Sequence, residues 1–326
     1  MFFRRASPRY FRGDLVEVRS LSEILATLDD DRKLDGVPFM REMTRFCGQR
    51  FRVFHRADKT CVEGYGVRRM RDTVLLEGLR CDGSWHDGCQ RHCLLFWKEA
   101  WLRPANVSAL PANVPSPSAN DRSLGDECLT TRKSGRYFCQ STELADATLP
   151  MSRWNVVHFL QDLIRGDVSL GRLAEIIVRM VANRVRSLVG LKKIGMLAGI
   201  RKKTRRGDLN LKPGERVIVL SPREIAETLN DQGRNCGLSF EPDMLEHCGK
   251  RYQVAFPIER IISEETGQLI KVTGTVVLDG VVCQGLCAKN CPRANPFYWR
   301  ESWLRRVAPS DASADAGREA GAHTRG

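Results

Sequence analysis

Hydrophobic and polar positions alternate over Leu15–Arg19 and again over Arg216–Leu220. That is the period of a half-buried strand. Each run meets a helix-start signal at once: Ser20 with Glu23, and Ser221-Pro222 with Glu224. A capping serine accepts from a free helical N–H while the glutamate three positions on reaches back to the cap, and proline suits the first helical position. The short helices so started end near Asp29 and Asn230. A second helical turn is predicted at Arg41–Phe46 and at Pro242–His247, closed by Gly48 and Gly249 in the left-handed C-terminal position. Strands follow at 50–55 and 251–256, then at 73–77 and 275–279. A last segment carries Trp97 and Trp101, or Trp299 and Trp303.

The two series are one pattern written twice. Residues 13–53 align without a gap on 214–254, with sixteen of 41 pairs identical, and the match resumes at 73–83 on 275–285 and at 96–103 on 298–305. Many short strands with one small helix in such a length predict a mainly β fold with a helical connector. The expectation is two tandem small SH3-like β-barrel modules, 12–104 and 212–307, each with a zinc site. Between them, 105–150 is expected as a flexible linker, since PANVSALPANVPSPSANDRSLG is rich in Pro, Ser, Ala and Asn. Residues 151–206 read as a connector with helices at 152–165 and 169–200, the second capped by Ser169. The tail 308–326 has the composition of a disordered segment.

The charge is uneven. The net +13 resides in two stretches, 179–206 with ten Lys/Arg and no acid, and 1–12 with four Arg and no acid. In the connector, Leu170, Leu173, Ile176, Ile177, Met180, Val181, Val185, Leu188 and Val189 form one apolar face at helical spacing. Lys192, Lys193, Arg201, Lys202, Lys203, Arg205 and Arg206 follow it. Such a segment suits an anionic membrane surface or the phosphates of a nucleic acid. It also suits a packed helix with a solvated basic face. Gly190, Gly195 and Gly199 weaken its last turns.

Cysteine usage adds the candidate chemistry. The N-terminal MFFRRASPRYFRGD lacks the apolar core of a signal peptide, which sets the expectation of a cytoplasmic chain, where thiols stay reduced. Twelve cysteines then read as metal ligands or core residues. The repeat pairs Cys47 with Cys248, Cys81 with Cys283 and Cys89 with Cys291, while His86 stands one position from the counterpart of Cys287. Two four-ligand sets result: Cys47, Cys81, His86, Cys89; and Cys248, Cys283, Cys287, Cys291. Four N/S ligands suit tetrahedral structural zinc, about two ions per chain. Cys93 replaces Cys47 in an alternative first set, although Asn295 stands at its place in the second repeat. Inert buried thiols, or an iron–sulfur cluster on the all-Cys set, are the other readings. Cys61, Cys128, Cys139 and Cys236 receive no role.

No P-loop, dinucleotide fingerprint, GxSxG or HExxH is present. A Cys89/His92 nucleophile pair has no counterpart, because Ala294 stands where His92 would be. Glu99 and Glu301 read as buried or capping carboxylates beside the Trp pairs. No catalytic residue and no small-molecule substrate are assigned.

RCDGSWHDGCQRHCLLFWKEAWL (80–102), YFCQSTELADAT (137–148), GDVSLGRL (166–173), and DGVVCQG, CPR and YWRESWL in the second repeat resemble a family of bacterial tandem-repeat, cysteine-rich proteins of unassigned activity, often encoded among polysaccharide-biosynthesis genes. The resemblance implies a role in cell-surface glycan production. LCAKNCPRANPFYW is shorter than the family pattern between its second and third cysteines. The functional expectation is a non-enzymatic, zinc-stabilised accessory or scaffold protein with a protein partner, at the inner membrane face. The rivals are a nucleic-acid-binding regulator and a metal- or thiol-dependent enzyme.

Overall fold

The computed structural model describes residues 9–105, 131–151, 157–191, 194–285 and 290–307. They form two compact units. Unit 1 contains residues up to Ala182 together with 260–271 and 283–295; unit 2 contains the remainder. The second repeat therefore contributes two excursions to unit 1.

In the first repeat, β1 (Leu15–Val18) leads to α1 (Leu21–Leu25), a 3-10 turn at Arg41–Phe46, β2 (Arg50–Arg56), β3 (Lys59–Val62), β4 (Gly66–Arg69), β5 (Thr73–Arg80), β6 (Leu94–Lys98) and β7 (Leu102–Pro104). Five of these make an antiparallel sheet in the order β6-β5-β2-β1-β7. Val16 and Val18 turn inward while Leu15 and Glu17 do not, as the alternation requires. The helix start is built as read: Ser20 Oγ accepts from Glu23 N, and Ser20 N donates to Glu23 Oε2.

The connector holds α2 (Val157–Ile164) and α3 (Leu170–Leu188). The helix expected to run to residue 200 stops at Leu188, because Gly190 takes φ +72° and breaks the ladder. Residues 131–150, expected within the linker, instead pack into unit 1. Cys139, Leu144 and Ala147 enter its hydrophobic core. The Gln140 side chain accepts from Phe96 N at 2.8 Å and donates to Phe96 O and Pro38 O. It acts as an extra rung on the buried outer edge of β6, which no further strand pairs, a role that composition does not reveal.

The second repeat has β8 (Arg216–Val219), α4 (Pro222–Ala226), a 3-10 turn at Pro242–His247, β9 (Arg251–Pro257), β10 (Arg260–Ile262), β11 (Leu269–Lys271), β12 (Thr275–Val282), β13 (Pro296–Arg300) and β14 (Leu304–Arg306). Its sheet order is β13-β12-β9-β8-β14. Registers repeat pair for pair: Val16 faces Phe51 as Val217 faces Tyr252, and Thr73 faces Lys98 as Thr275 faces Arg300. Both sheets carry an irregularity at the same place in β2 and β9. Gly48 and Gly249 take φ +76° and +75° after their 3-10 turns.

Each core closes on its tryptophans. Trp97, Trp101, Trp299 and Trp303 are fully buried. Phe39 meets Trp101 edge-on at 5.3 Å, and Phe240 meets Trp303 at the same distance. Trp101 Nε1 donates to Thr27 Oγ1 and Trp303 Nε1 to Thr228 Oγ1, both at 3.0 Å. The repeated carboxylates are tethers. Glu99 accepts from Arg9 N, and Glu301 accepts from Asn210 N and Leu211 N, so each holds the chain entering its repeat.

Candidate metal centre

Unit 1 encloses a cavity of about 30 Å³ lined by Cys81, His86, Cys89, Cys93, Cys139 and Arg293 among others. That is room for a water or a small ion. Two of these lining residues, Cys81 and His86, meet Glu42: one ligand atom of each of the three lies within 4.8 Å of the others, the one such convergence among the described residues. Glu42 comes from the 3-10 turn after α1, Cys81 from the position just past β5, and His86 from the loop that follows. Cys81 Sγ is 3.0 Å from Glu42 Oε1, and His86 Nδ1 is 3.5 Å from the same oxygen.

The imidazole is oriented for ligation. His86 Nε2 faces the Phe138 carbonyl at 3.3 Å, and a carbonyl only accepts, so Nε2 carries the proton and Nδ1 the lone pair. That is the usual support for a metal-ligating histidine. The Cys81 thiol donates to Glu42 Oε1, while Nδ1 and the other carboxylate oxygen, Oε2, are both buried with no hydrogen-bond partner. Burial and the Glu42 carboxylate push the Cys81 thiol well up. A divalent cation reverses that sign, since it deprotonates a coordinating thiol.

The neighbouring sulfurs act as acceptors. Cys89 Sγ receives Ile262 N at 3.3 Å, Cys291 Sγ receives Cys61 N at 3.1 Å, and Cys283 Sγ receives Gly285 N at 3.4 Å. Backbone N–H groups aimed at sulfur favour the thiolate. Without a cation, burial still leaves the Cys89 thiol raised and pushes Cys139 up to about 12.

The same loops interlock. Arg91 Nη1 donates to Ile262 O at 2.9 Å, and Arg293 Nη1 donates to Cys61 O at 2.7 Å. Both guanidinium groups meet Glu264. Burial works to raise the Glu264 carboxyl, but Arg293 and Arg91 overcome it and hold it at about 2. Ser141 Oγ and Glu63 N complete its shell.

Of the first expected set, Cys81 and His86 are brought together, and Cys89 and Cys93 line the same cavity. Cys47 does not line it. It caps the 3-10 turn, its N–H donating to Thr44 O, and packs against the first repeat's core. Of the second set, Cys248 caps the matching turn in unit 2, Cys283 and Cys291 belong to unit 1, and Cys287 lies outside the described residues. Cys128, Lys192 and Lys193 also lie outside them. Arg201, Lys202, Lys203, Arg205 and Arg206 are exposed, with Arg206 donating to Thr273 Oγ1. Cys236 is held by Thr204, whose hydroxyl accepts from its N–H.

Glu42 was not among the expected ligands. The repeat sets it against Asp243, the one hint in the chain, and the structure shows both acids buried, at 2% and 3% exposure. A carboxylate shared by two copies at a core position is as informative as a shared cysteine.

No family model, curated protein or solved structure matches the chain. Among the described residues no helix is long and apolar enough to cross a membrane.

Proposed function

We propose that the chain is a non-enzymatic accessory protein in which two SH3-like modules are stabilised by zinc. The observation that carries this reading is the buried meeting of Glu42, Cys81 and His86, with two orphaned acceptors and a correctly oriented imidazole. Mixed O, S and N donors suit a borderline cation such as zinc. Cys89 and Cys93, on the same cavity wall, supply candidates for the fourth position. The duplication supports a second ion on Cys283, Cys287 and Cys291. The resemblance to proteins encoded beside polysaccharide-biosynthesis genes supports an accessory role in cell-surface glycan production as part of this proposal. Metal analysis of protein purified without chelator tests the centre. Zinc should be present, and Glu42→Gln, Cys81→Ser and His86→Gln should each lower it. A metal-free wild type would overturn the reading.

A further inference from the structure

α3 carries two apolar faces, and the fold uses one of them. Leu173, Ile176 and Met180 pack against Phe159, Leu163 and Val168. Leu170, Ala174, Ile177, Val178, Val181, Val185 and Leu188 recur every three or four residues on another face and stand in solvent. Val181 is 57% exposed, Val185 55% and Leu188 74%. Single exposed hydrophobics are ordinary, but a continuous stripe along five turns marks a docking surface. Leu173, Ile176 and Met180, which the sequence groups with this stripe on one face, belong to the packed face.

Charge identifies the occupant. The one acid of α3, Glu175, is held by Arg172 at 3.1 Å and Arg179 at 3.6 Å on the side away from the stripe. The last turns add Arg184 and Arg186, and the chain from 179 to 206 has ten cations and no acid. We propose that α3 lies on an anionic phospholipid surface, with the Leu170–Leu188 stripe inserted at the headgroup–acyl boundary and the arginines reaching the phosphates. Long arginine side chains reach a headgroup layer from the edge of an inserted face. A basic amphipathic helix binds such a surface through both terms. A nucleic acid has no use for the aliphatic stripe, which is why lipid is the better fit. The inference does not depend on the metal centre.

The test uses the full chain as purified in flotation with phosphatidylcholine vesicles, with and without about a third phosphatidylglycerol, at about 0.1 M salt. Wild type should float with the anionic vesicles and not with phosphatidylcholine alone. Val181→Ser combined with Val185→Ser should weaken binding about tenfold or more, since insertion scales with buried apolar area. Far-ultraviolet circular dichroism should stay unchanged, and Leu188→Ser serves as an independent second variant. Arg184→Glu should weaken binding and make what remains less sensitive to salt, since fewer cations then meet the headgroup phosphates. The proposal is overturned if wild type does not float, or if the serine variants bind as well as wild type. It is equally overturned if duplex DNA is bound in place of vesicles, or if light scattering shows a dimer that the serine variants abolish.

Discussion

The Cys61 amide donates to Cys291 Sγ, 230 positions along the chain, at 3.1 Å. The residues that correspond to them in the opposite repeats, Ile262 and Cys89, are joined in the same way at 3.3 Å. Arg91 and Arg293 repeat the exchange, each donating to the hairpin carbonyl of the other copy. The Cys-x-Arg loop of each repeat thus grips the hairpin of its twin, inside unit 1. The duplication is a pair of interlocked loops as well as two similar sheets.

That exchange predicts an effect across the repeats. Arg293→Met leaves buried Glu264 with one guanidinium fewer, and breaking a buried pair costs about 3–5 kcal/mol. Hydrogen exchange should show protection lost in β3, around Cys61, as well as in 283–295. Loss confined to the second repeat's own loop would contradict the exchange.

Glycine is required where the cysteine loop turns back on itself. Gly83 has φ +72°, and a Cβ there would overlap the Cys89 carbonyl oxygen; at Gly285 the Cβ would lie 2.6 Å from Cys291 O. Gly83→Ala should therefore displace the Cys81–Cys89 loop and lower both the melting temperature and the bound metal. Gly88→Ala makes a control within the same loop, because its Cβ meets only the end of the Arg260 side chain, although its φ of +72° carries a strain of about 1 kcal/mol. Metal content equal to wild type in Gly83→Ala would refute the argument.

Acid should weaken unit 1 in a defined window. Glu264 is held at about 2 in the fold against an ordinary value of 4.5. A depressed carboxyl contributes stability that is full above its unfolded value and is lost as the pH falls through its folded value. Urea midpoints should therefore drop between about pH 4.5 and pH 2. Glu264→Gln should be less stable at neutral pH and flatter across that window. An unchanged slope in the variant would assign the acid sensitivity to other groups.

Much of this was legible in the chain. Alternation at Leu15–Val18, the Ser20/Glu23 and Ser221/Glu224 caps, and Gly48 and Gly249 are local signals, and the structure builds each as read. What escaped is long-range. The entry of Gln140 beside β6 depends on an unpaired strand edge that no local window contains. Placement of 260–271 and 283–295 in unit 1 depends on partners some 200 residues away. Glu42 escaped for a different reason: an acid in a predicted helical turn reads as a solvated cap until its burial is known.

The most direct measurement is the zinc content of freshly reduced protein, wild type beside Glu42→Gln, Cys81→Ser and His86→Gln, each checked for folding by circular dichroism. The account predicts about two zinc ions in the wild type and about one fewer in each variant, with a lower melting temperature, because structural zinc contributes folding free energy directly. Less than about half an equivalent in the wild type, or three variants with unchanged zinc, would contradict a metal centre at Glu42, Cys81 and His86.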